Sequence, residues 1–417
     1  MRLLALCALV VAAVSASLAP AASASPYVRY GVQDDAWLEF GPGPLDERLD
    51  TLDRMGVELV RYTLNWRQVE PTKGAYDWSR ADAILRGLHE RGIAPVVTLW
   101  GTPGWANGGR SANWAPSSKW WFAGFARAAA KRYPFVKRWL VWNEPNKRMF
   151  LRPTSARTYV KTLLNPGYNA IHGAIRGAKV GGGVTGPQAG YRGISPVDFI
   201  KGMRAAGAKL DAYAHNPYPR HPSTETPTSG ACGHCETITL AALDRLLFWV
   251  RREWGGKRIW LTEYGYQTNP PDRFLGVSTA KQARYIGEAA LRVRQAPRVD
   301  MLIHYIVRDD RRLSGWQSGV FTHSGSAKPS YRALMLPFAQ SSRRRLRTVL
   351  WGQVRPGSGR RPYRLQQFRY GHWHWVGGTR RTNARGFFQR TVRAGAGSKL
   401  RIWSPRDEVF SPILQVR

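Results

Sequence analysis

Two glutamates end runs of apolar residues that have the character of buried β-strands. Glu144 follows the run at 138–142 in RWLVWNEPNK, and Glu263 follows a similar run in IWLTEYGY. A carboxylate at the end of a buried strand can face a cleft, where it can exchange a proton or attack an electrophilic carbon. Two carboxylates that face each other are the minimal equipment for cleaving a glycosidic bond. One would protonate the leaving oxygen, and the other would attack the anomeric carbon.

Short apolar runs alternate with amphipathic stretches between residues 29 and 340. Eight of the runs are interpreted as strands, at 29–33, 59–66, 95–100, 138–144, 179–184, 211–218, 258–265 and 301–307. Most of them are continuously apolar, which is typical of parallel strands that are covered on both faces. Amphipathic stretches at 81–91, 118–132 and 240–254 predict helices, and a glycine follows the first and the last of them as a stop signal.

Eight strand–helix units have the count and the size of a (β/α)8 TIM barrel. A doubly wound open sheet is the alternative, but it favours a Gly-rich turn after the first strand, and GVQDDAW has none. We therefore predict an α/β protein with a barrel at residues 25–340. The carboxyl ends of barrel strands face the active site, so Glu144 on strand four and Glu263 on strand seven are expected in its mouth.

Several stretches of residues 30–340 resemble clan A of the retaining glycoside hydrolases, nearest to families 39 and 5. The resemblance is carried by Asn143-Glu144-Pro145, by Glu263, by Arg61 in ELVRYTLNWRQVEPTKGAYDW, and by TLWGTPGWA, AHNPYP and AKPSYRAL. It implies a glycosidase in which Glu144 is the acid/base and Glu263 is the nucleophile.

The same resemblance implies roles for residues around the two glutamates. Asn143 would hydrogen-bond the sugar 2-hydroxyl, and Arg61 would hold Glu263 ionised and oriented. A cation close to a carboxylate lowers the pKa of that carboxylate, which suits a nucleophile. His215 and Tyr218 would line the site from strand six. The alternatives are a structural ion pair for Arg61, a hydrogen-bonded core histidine for His215 and simple packing for Tyr218.

Aromatic residues near the strand ends are candidates for stacking on sugar rings, which need flat apolar faces. Trp66 and Trp100 fall in strand-to-helix loops and are expected to contact substrate. Clan A enzymes commonly carry a Trp at the end of strand eight. Here that strand reads HYIVRDD, so Tyr305 in the strand and Trp316 in the following loop are the candidates for this place.

The sequence changes character after residue 340. Residues 341–347, SSRRRLR, are interpreted as a basic linker, and the short alternating runs of residues 348–417 predict a β-sandwich with six or seven strands. Tyr370, Trp373 and Trp375 in RYGHWHWVGG could form a glycan-stacking face. Since Trp373 and Trp375 point the same way along one strand, we favour a position in the core of the sandwich.

Residues 1–24 have the features of a secretory signal peptide. A short positive start precedes an uncharged apolar run, and Ala22-Ser23-Ala24 is a small-residue cleavage signal. Ser and Pro interrupt the run, which is shorter than the ~20 apolar residues of a membrane span. We expect cleavage near Ala24-Ser25 and a secreted or cell-wall-associated protein.

Cys232 and Cys235 form a C-x-x-C pair in a loop rich in Pro, Ser, Thr and Gly. A zinc site would need two further ligands, and a redox motif would open a helix directly after a strand. In an exported chain we predict a disulfide between them.

The chain carries 63 Lys and Arg against 27 Asp and Glu, a net charge of +36. This charge is spread along the chain, whereas a dedicated phosphate-binding element would be clustered. We therefore expect no specific nucleic acid partner. An anionic cell-wall polymer held by the basic surface is an alternative reading of the charge.

Together these features predict a secreted, monomeric retaining glycoside hydrolase that acts on a polysaccharide or oligosaccharide without a metal or organic cofactor. The alternative is a catalytically silent carbohydrate-binding or cell-wall-associated barrel. Loss of either strand-end glutamate would favour that alternative, and both are present. A charge-driven binding protein would instead show affinity that collapses with salt and does not depend on Glu144.

Overall fold

The computed structural model describes Ser25 and residues 27–417. The proposed signal peptide, residues 1–24, lies outside the described residues. In the part of the chain that the structure describes, no helix has the length and apolar character needed to cross a membrane.

Eight parallel strands form the first domain. They are β1 Arg29–Gln33, β2 Leu59–Asn65, β3 Ala94–Trp100, β4 Arg138–Val141, β5 Lys179–Thr185, β6 Ala212–His215, β7 Arg258–Tyr264 and β8 Val299–Tyr305. Each strand pairs with its neighbours in chain order, and β8 pairs with β1 to close the barrel. The predicted (β/α)8 barrel is confirmed. β4 ends three residues before Glu144 because the backbone turns there, with positive φ at Trp142 and Glu144.

Helices connect the strands and surround the barrel. They are α1 Asp35–Phe40, α2 Leu45–Arg54, α3 Trp66–Val69, α4 Ser79–Glu90, α5 Gly104–Asn107, α6 Lys119–Arg132, α7 Ala156–Thr158, α8 Asn165–Ala174, α9 Pro196–Ala205, α10 Leu243–Trp254, α11 Thr279–Gln295 and α12 Pro329–Met335, with a π-helical turn at Tyr159–Leu164. The buried residues of α10 are Leu243, Leu246, Leu247 and Val250, the spacing of one apolar helix face.

Apolar side chains fill both sides of the barrel wall. Leu59, Val96 and Met301 belong to an inner cluster, whereas Val60 and Val97 pack outward beneath the helices. The strands read as continuous apolar runs because both faces are buried. The barrel interior is therefore a packed core, and the space for a ligand lies at its mouth.

The second domain consists of two antiparallel sheets. Its strands are β9 Phe338–Arg344, β10 Arg347–Gln353, β11 Pro362–Arg369, β12 His372–Trp375, β13 Arg380–Arg381, β14 Phe387–Arg393, β15 Lys399–Ser404, β16 Val409–Phe410 and β17 Leu414–Gln415. One sheet has the order β14-β10-β9, and the other contains β12-β11-β15-β16 with β13 on β11 and β17 on β15. The predicted β-sandwich is confirmed, with additional short strands that sequence patterns did not indicate.

The interpretation of residues 341–347 as a linker is wrong. β9 already begins at Phe338, and the basic residues form the end of β9, the hairpin turn and the start of β10. The strand packs on α11 so closely that a Cβ added at Gly287 would lie 2.5 Å from the backbone oxygen of Phe338. The second domain is therefore packed directly on the barrel.

The three-stranded sheet lies between the barrel and the six-stranded sheet. Ala339, Trp351 and Phe387 on one of its faces join the core of the barrel. Leu350 and Val392 on the opposite face pack with residues of β11 and β15 in a separate core. The outer face of the six-stranded sheet is consequently the outermost layer of the domain. The expectation that Trp373 and Trp375 lie in the core is wrong, because both are on this outer face.

Two buried histidines each contribute stability that acid removes. Burial lowers the pKa of His215 and of His304 to about 4. Because histidine in an unfolded chain titrates near ~6.5, the unfolded state binds protons first as the pH falls, and stability is lost between ~6.5 and the folded pKa. Each histidine should contribute about 2 kcal/mol of that loss between ~pH 7 and ~pH 5.

Urea denaturation of the parent protein and of His304→Gln at both pH values measures this contribution. The variant should lose about 2 kcal/mol less stability than the parent protein over that interval. Asp34, whose pKa burial raises to about 6, acts in the opposite direction in both proteins and cancels in the comparison. An equal loss in both proteins would contradict the assignment.

Candidate active site

Glu144 lies in the turn that follows β4. Its backbone N–H donates to the oxygen of Val184, 2.9 Å away, so the chain keeps its register beside β5 after the strand has ended. Trp142 and Glu144 have φ values of 71° and 41°, a conformation that non-glycine residues rarely adopt. Such backbone is concentrated at functional sites. The turn takes Trp142 into the core and leaves the carboxyl group of Glu144 in the cleft.

Glu263 lies near the end of β7 and is held by two side chains. Arg61 Nη1 on β2 donates to Glu263 Oε1 at 2.5 Å, and the hydroxyl of Tyr218 donates to Oε2 at 3.0 Å. Arg61 is fully buried and also donates to the hydroxyl of Thr98 at 2.9 Å. The carboxylate of Glu263 is therefore fixed in one orientation by a cation that is itself fixed.

A hydrogen-bond network joins the two glutamates. Asn143 Oδ1 accepts from Arg61 Nη2 at 2.8 Å and from Asn216 Nδ2 at 3.4 Å. Asn216 Nδ2 also donates to Glu144 Oε1 at 3.2 Å. Since the oxygen of Asn143 accepts both bonds, its amide N–H groups are left to donate to a ligand in the cleft. This fits the role that the sequence resemblance implies for Asn143.

Glu144 makes an ion pair that the sequence did not predict. Lys147 Nζ lies 2.7 Å from Glu144 Oε2, and both side chains border the cleft. Gly186 leaves room for this pair, because a Cβ added there would lie 2.5 Å from Lys147 Cε and 2.8 Å from Glu144 Cδ. The ion pair has to open, and Glu144 has to take up a proton from solvent, before its carboxyl group can act as an acid.

Burial raises the pKa of Glu263 above its ordinary value. The positive charge of Arg61 opposes this effect, the nearby Glu144 adds to it, and the hydrogen bond from Tyr218 lowers the pKa again. Burial outweighs the ion pair, so the net direction is upward although Arg61 acts as expected. Arg61 and Tyr218 are thus the groups that favour the ionised form of Glu263, the form that a nucleophile needs.

A cleft of about 620 Å³ opens above these residues. This volume lies within the range of small-molecule sites, ~300–1,000 Å³. Of the residues predicted to form the site, Glu144, Glu263, Asn143, Tyr218, Trp100, Tyr305 and Trp316 line the cleft. The strand ends therefore bring together most of the side chains that the sequence singled out.

Three aromatic rings form one wall of the cleft. The rings of Tyr218 and Trp316 are 4.8 Å apart between centroids, and Tyr305 meets Trp316 edge-on at 5.3 Å. Trp316 is 36% exposed, so its ring is partly open to a ligand. Both candidates for the usual strand-eight Trp therefore lie at the cleft, and they contact each other.

Three residues predicted to bind substrate do not line the cleft, namely Trp66, His215 and Arg61. Trp66 is fully buried beside Phe122 and Phe125 and donates to Glu70 Oε2 at 2.7 Å, so its expected substrate contact is wrong. His215 is fully buried, and its two ring nitrogens are hydrogen-bonded to Thr185 and Ile238. Its expected contact is also wrong, and the alternative of a core histidine holds.

Arg61 holds the side chains of the site in place without lining the cleft. Its guanidinium contacts Glu263, Asn143 and Thr98 and is enclosed by them, so it positions the nucleophile candidate and does not reach the substrate.

Sequence reasoning missed Asp35, Asn216 and Lys147. Asp35 follows β1 and lines the cleft, where its Oδ1 accepts from the N–H of Thr63 at 2.9 Å. Burial raises the pKa of Asp35. The strand-end rule that selected Glu144 applies equally to Asp35 and to Asn216, which follow β1 and β6. Lys147 had no signal beyond its place three residues after Glu144.

The loop after β6 forms part of the cleft wall and contains the C-x-x-C pair. Cys232 and Cys235 lie at disulfide distance from each other, with a Cα–Cα distance of 5.7 Å. Arg245 Nη2 donates to the backbone oxygen of Gly233 at 2.8 Å. Within residues 27–417, no group of three or more His, Cys, Asp or Glu side chains has an arrangement that could hold a metal ion.

Replacing Arg61 with Met should change the pH dependence of any reaction that needs ionised Glu263. The substitution removes the group that most lowers the pKa of Glu263, so this pKa rises further and the acid limb of the kcat/KM profile moves to higher pH. Breaking a buried ion pair should also cost about 3–5 kcal/mol of stability.

A pH–rate profile and thermal melting test this prediction. Arg80→Met is the matched control, because Arg80 pairs with Glu39 but is half exposed and lies outside the cleft. An Arg61→Met protein that folds and keeps the parent acid limb would contradict the role of Arg61.

No protein-family model and no curated protein matches the chain. Solved structures do match it. A family 39 glycoside hydrolase from the gut symbiont Bacteroides cellulosilyticus WH2 aligns with a TM-score of 0.62 at 17% identity, covering 87% of this chain and 78% of that chain. A glucosidase from Croceicoccus marinus aligns with a TM-score of 0.58 at 13% identity, covering 92% and 96%.

A third similar structure is GH5_18 from Streptomyces cattleya in complex with Manβ1-4GlcNAc. It aligns with a TM-score of 0.57 at 18% identity and covers 74% of this chain and 79% of that chain. At such low identities the similarity establishes the fold. The chain therefore has the (β/α)8-barrel fold of the clan A glycoside hydrolases of families 39 and 5.

Proposed function

We propose that the protein is an exported retaining glycoside hydrolase that cleaves an O-glycosidic bond of a polysaccharide or oligosaccharide. The observation that carries the proposal is the pair of cleft carboxylates, Glu144 and Glu263, which one hydrogen-bond network holds from opposite sides of the barrel mouth. Each carboxylate has different partners, which suits two different roles.

In the first step, Glu263 Oε2 or Oε1 attacks the anomeric carbon while Glu144 gives its proton to the glycosidic oxygen. The bond between the anomeric carbon and that oxygen breaks, and the leaving saccharide departs with the proton. A glycosyl ester of Glu263 remains. Arg61 and Tyr218 hold the attacking carboxylate in place, which removes the entropic cost of orienting it.

In the second step, Glu144 is a carboxylate and accepts a proton from water as the water attacks the anomeric carbon. The ester bond to Glu263 breaks, and both carboxyl groups return to their starting forms. Two displacements at the same carbon restore its original configuration. The amide N–H of Asn143 can donate to a hydroxyl of the bound sugar in both steps.

The leaving saccharide has to lie beside Lys147. Glu144 protonates the leaving oxygen, and Lys147 contacts the same carboxyl group, so the two are neighbours on that side of the cleft. Binding of substrate there offers the ammonium new hydrogen-bond partners in the sugar hydroxyls. Opening of the ion pair would thus accompany binding.

Proton NMR of the first sugar released tests the proposal. A panel of aryl glycosides should begin with β-glucosides and β-mannosides, because the similar structures include a glucosidase and a protein bound to Manβ1-4GlcNAc. We expect release with retention of anomeric configuration. Release with inversion would contradict double displacement. Export is tested separately: N-terminal sequencing of the exported protein should find Ser25 as the first residue.

A further inference from the structure

The outer face of the six-stranded sheet combines aromatic rings with cations. We call this surface the outer aromatic face, and its residues are Arg364, Phe368, Trp373, Trp375, Lys399, Arg401, Trp403 and Phe410. Their neighbours at odd positions of β11 and even positions of β15, such as Leu365 and Ile402, fill the core of the sandwich. Because side chains alternate along a strand, the residues of the outer aromatic face point to solvent.

Large aromatic side chains remain exposed on this face. Trp375 is 39% exposed and Phe368 is 37% exposed, while Trp373, Trp403 and Phe410 are half-buried. The rings contact one another, with centroids 5.8 Å apart for Trp375 and Trp403. Contiguous aromatic surface of this kind on a folded domain marks a place where a ligand or a partner binds.

Cations lie on the aromatic rings of this face. The guanidinium of Arg364 sits 3.6 Å from the centroid of Trp375, and that of Arg401 lies 4.1 Å from Trp373 and 3.9 Å from Phe410. Lys399 reaches over Phe368 at 5.6 Å. Stacking holds a guanidinium in place and leaves the N–H groups at its edge free to bind carboxylate or sulfate oxygens.

The three cations form a row along the direction of the strands. Lys399 and Arg401 are two residues apart on β15, and Arg364 on β11 pairs with Trp403, the next outward residue of β15. Three successive levels of the strand span about 14 Å. The row is therefore long enough to contact several repeating anionic groups of one chain.

Within residues 27–417, no carboxylate lies within ion-pair distance of this row. Among the residues that the structure describes, Arg364, Lys399 and Arg401 take part in no ion pair, and the one side-chain hydrogen bond of Arg401 goes to Gln366 Oε1 at 2.8 Å. Residues 338–417 contain 18 Lys and Arg but only Asp407 and Glu408 as acids, so their formal charge is 18 − 2 = +16. The domain carries a strong and unbalanced positive charge.

We propose that the outer aromatic face binds an anionic polysaccharide, one whose sugars carry carboxylate or sulfate groups. The guanidinium groups already occupy the ring faces of Trp373 and Trp375, so the surface presents N–H donors in the places where a neutral sugar would stack. The row of three stacked cations matches a chain with regularly spaced anions. The site is separate from the cleft, and its occupancy does not depend on catalysis.

Affinity electrophoresis of the full protein tests this site. The gels contain polygalacturonate, or methyl-esterified polygalacturonate, which has the same backbone without the charge. We expect polygalacturonate to retard the parent protein and the esterified polymer to have little effect. The double substitution Arg364→Gln with Arg401→Gln should weaken binding about tenfold or more, because two charged hydrogen-bonding groups are lost.

A second double substitution, Arg344→Gln with Arg347→Gln, is the matched control. It removes the same charge from exposed positions of β9 and β10 on the other sheet and should leave binding nearly unchanged. Equal weakening in both double variants would show that total charge governs binding and would overturn the proposal. Absence of retardation would overturn the proposal too. So would tighter binding to single-stranded DNA or to phosphatidylglycerol vesicles than to polygalacturonate, if Arg364→Gln with Arg401→Gln weakened that binding. Thermal melting of each variant verifies the fold.

Discussion

Replacing Glu263 with glutamine should lower kcat/KM by about 10⁴-fold or more. The amide is close in size to the carboxylate but cannot attack the anomeric carbon, so the first displacement stops. Arg61 keeps its bonds to Thr98, Thr262 and Asn143, which should preserve the architecture of the site. The measurement is the initial rate of aryl glycoside hydrolysis by the parent protein and by the variant.

Two controls make the loss in Glu263→Gln specific. Glu253→Gln removes a carboxylate that pairs with Arg252 outside the cleft, and we expect parent activity from it. Calorimetric titration with substrate should show that Glu263→Gln still binds sugar, since its other cleft contacts remain. Activity within about tenfold of the parent would place the nucleophile elsewhere.

Replacing Glu144 with alanine should slow hydrolysis according to the leaving group. Glycosides whose leaving group needs a proton should lose about 10²–10⁴-fold in kcat. Dinitrophenyl glycosides should lose much less in the first step, because dinitrophenolate leaves without protonation. Added azide should restore turnover and yield a glycosyl azide of retained configuration, because it enters the space of the missing carboxylate and attacks the ester of Glu263.

Glu144→Gln is the matched control for the azide experiment. Glutamine removes the proton donor but fills the space, so azide should rescue it less than it rescues Glu144→Ala. A uniform loss for all leaving groups, with no azide effect in either variant, would contradict the acid/base role of Glu144.

The sequence was sufficient to predict the barrel and both carboxylates because strand-end chemistry leaves a local signal. Continuous apolar runs identify strands buried on both faces, and a carboxylate directly after such a run has no place in the core. Asn143-Glu144-Pro145 and Glu263 stand out in this way. Arg61 has no such signal, since a cation inside a strand suits a structural ion pair as well as a site.

The misplaced residues depend on contacts that local patterns do not contain. Trp66 starts α3, and its ring packs against Phe122 and Phe125, a direction set by helix packing. His215 ends β6 opposite a register shift in β5 at Gly183/Thr185, which brings Thr185 to its ring. Both are distant in sequence from the residues that enclose them.

The second domain shows the same limit at the level of a whole sheet. Alternation correctly placed Trp373 and Trp375 on one face of a strand. Which face meets the core depends on the position of β12 at the edge of the outer sheet and on its pairing with β11. The basic residues 341–347 read as a linker because exposed strand ends and hairpin turns have the composition of linkers.

Trapping of the covalent intermediate tests the central claim most directly. A dinitrophenyl 2-deoxy-2-fluoro-glycoside of the sugar that the protein hydrolyses makes the ester form quickly and break slowly, because fluorine disfavours both transition states and dinitrophenolate leaves readily. Mass spectrometry of proteolytic peptides should then find one fluoroglycosyl group on Glu263. An ester on another residue, or turnover with inversion and no adduct, would contradict double displacement at Glu263.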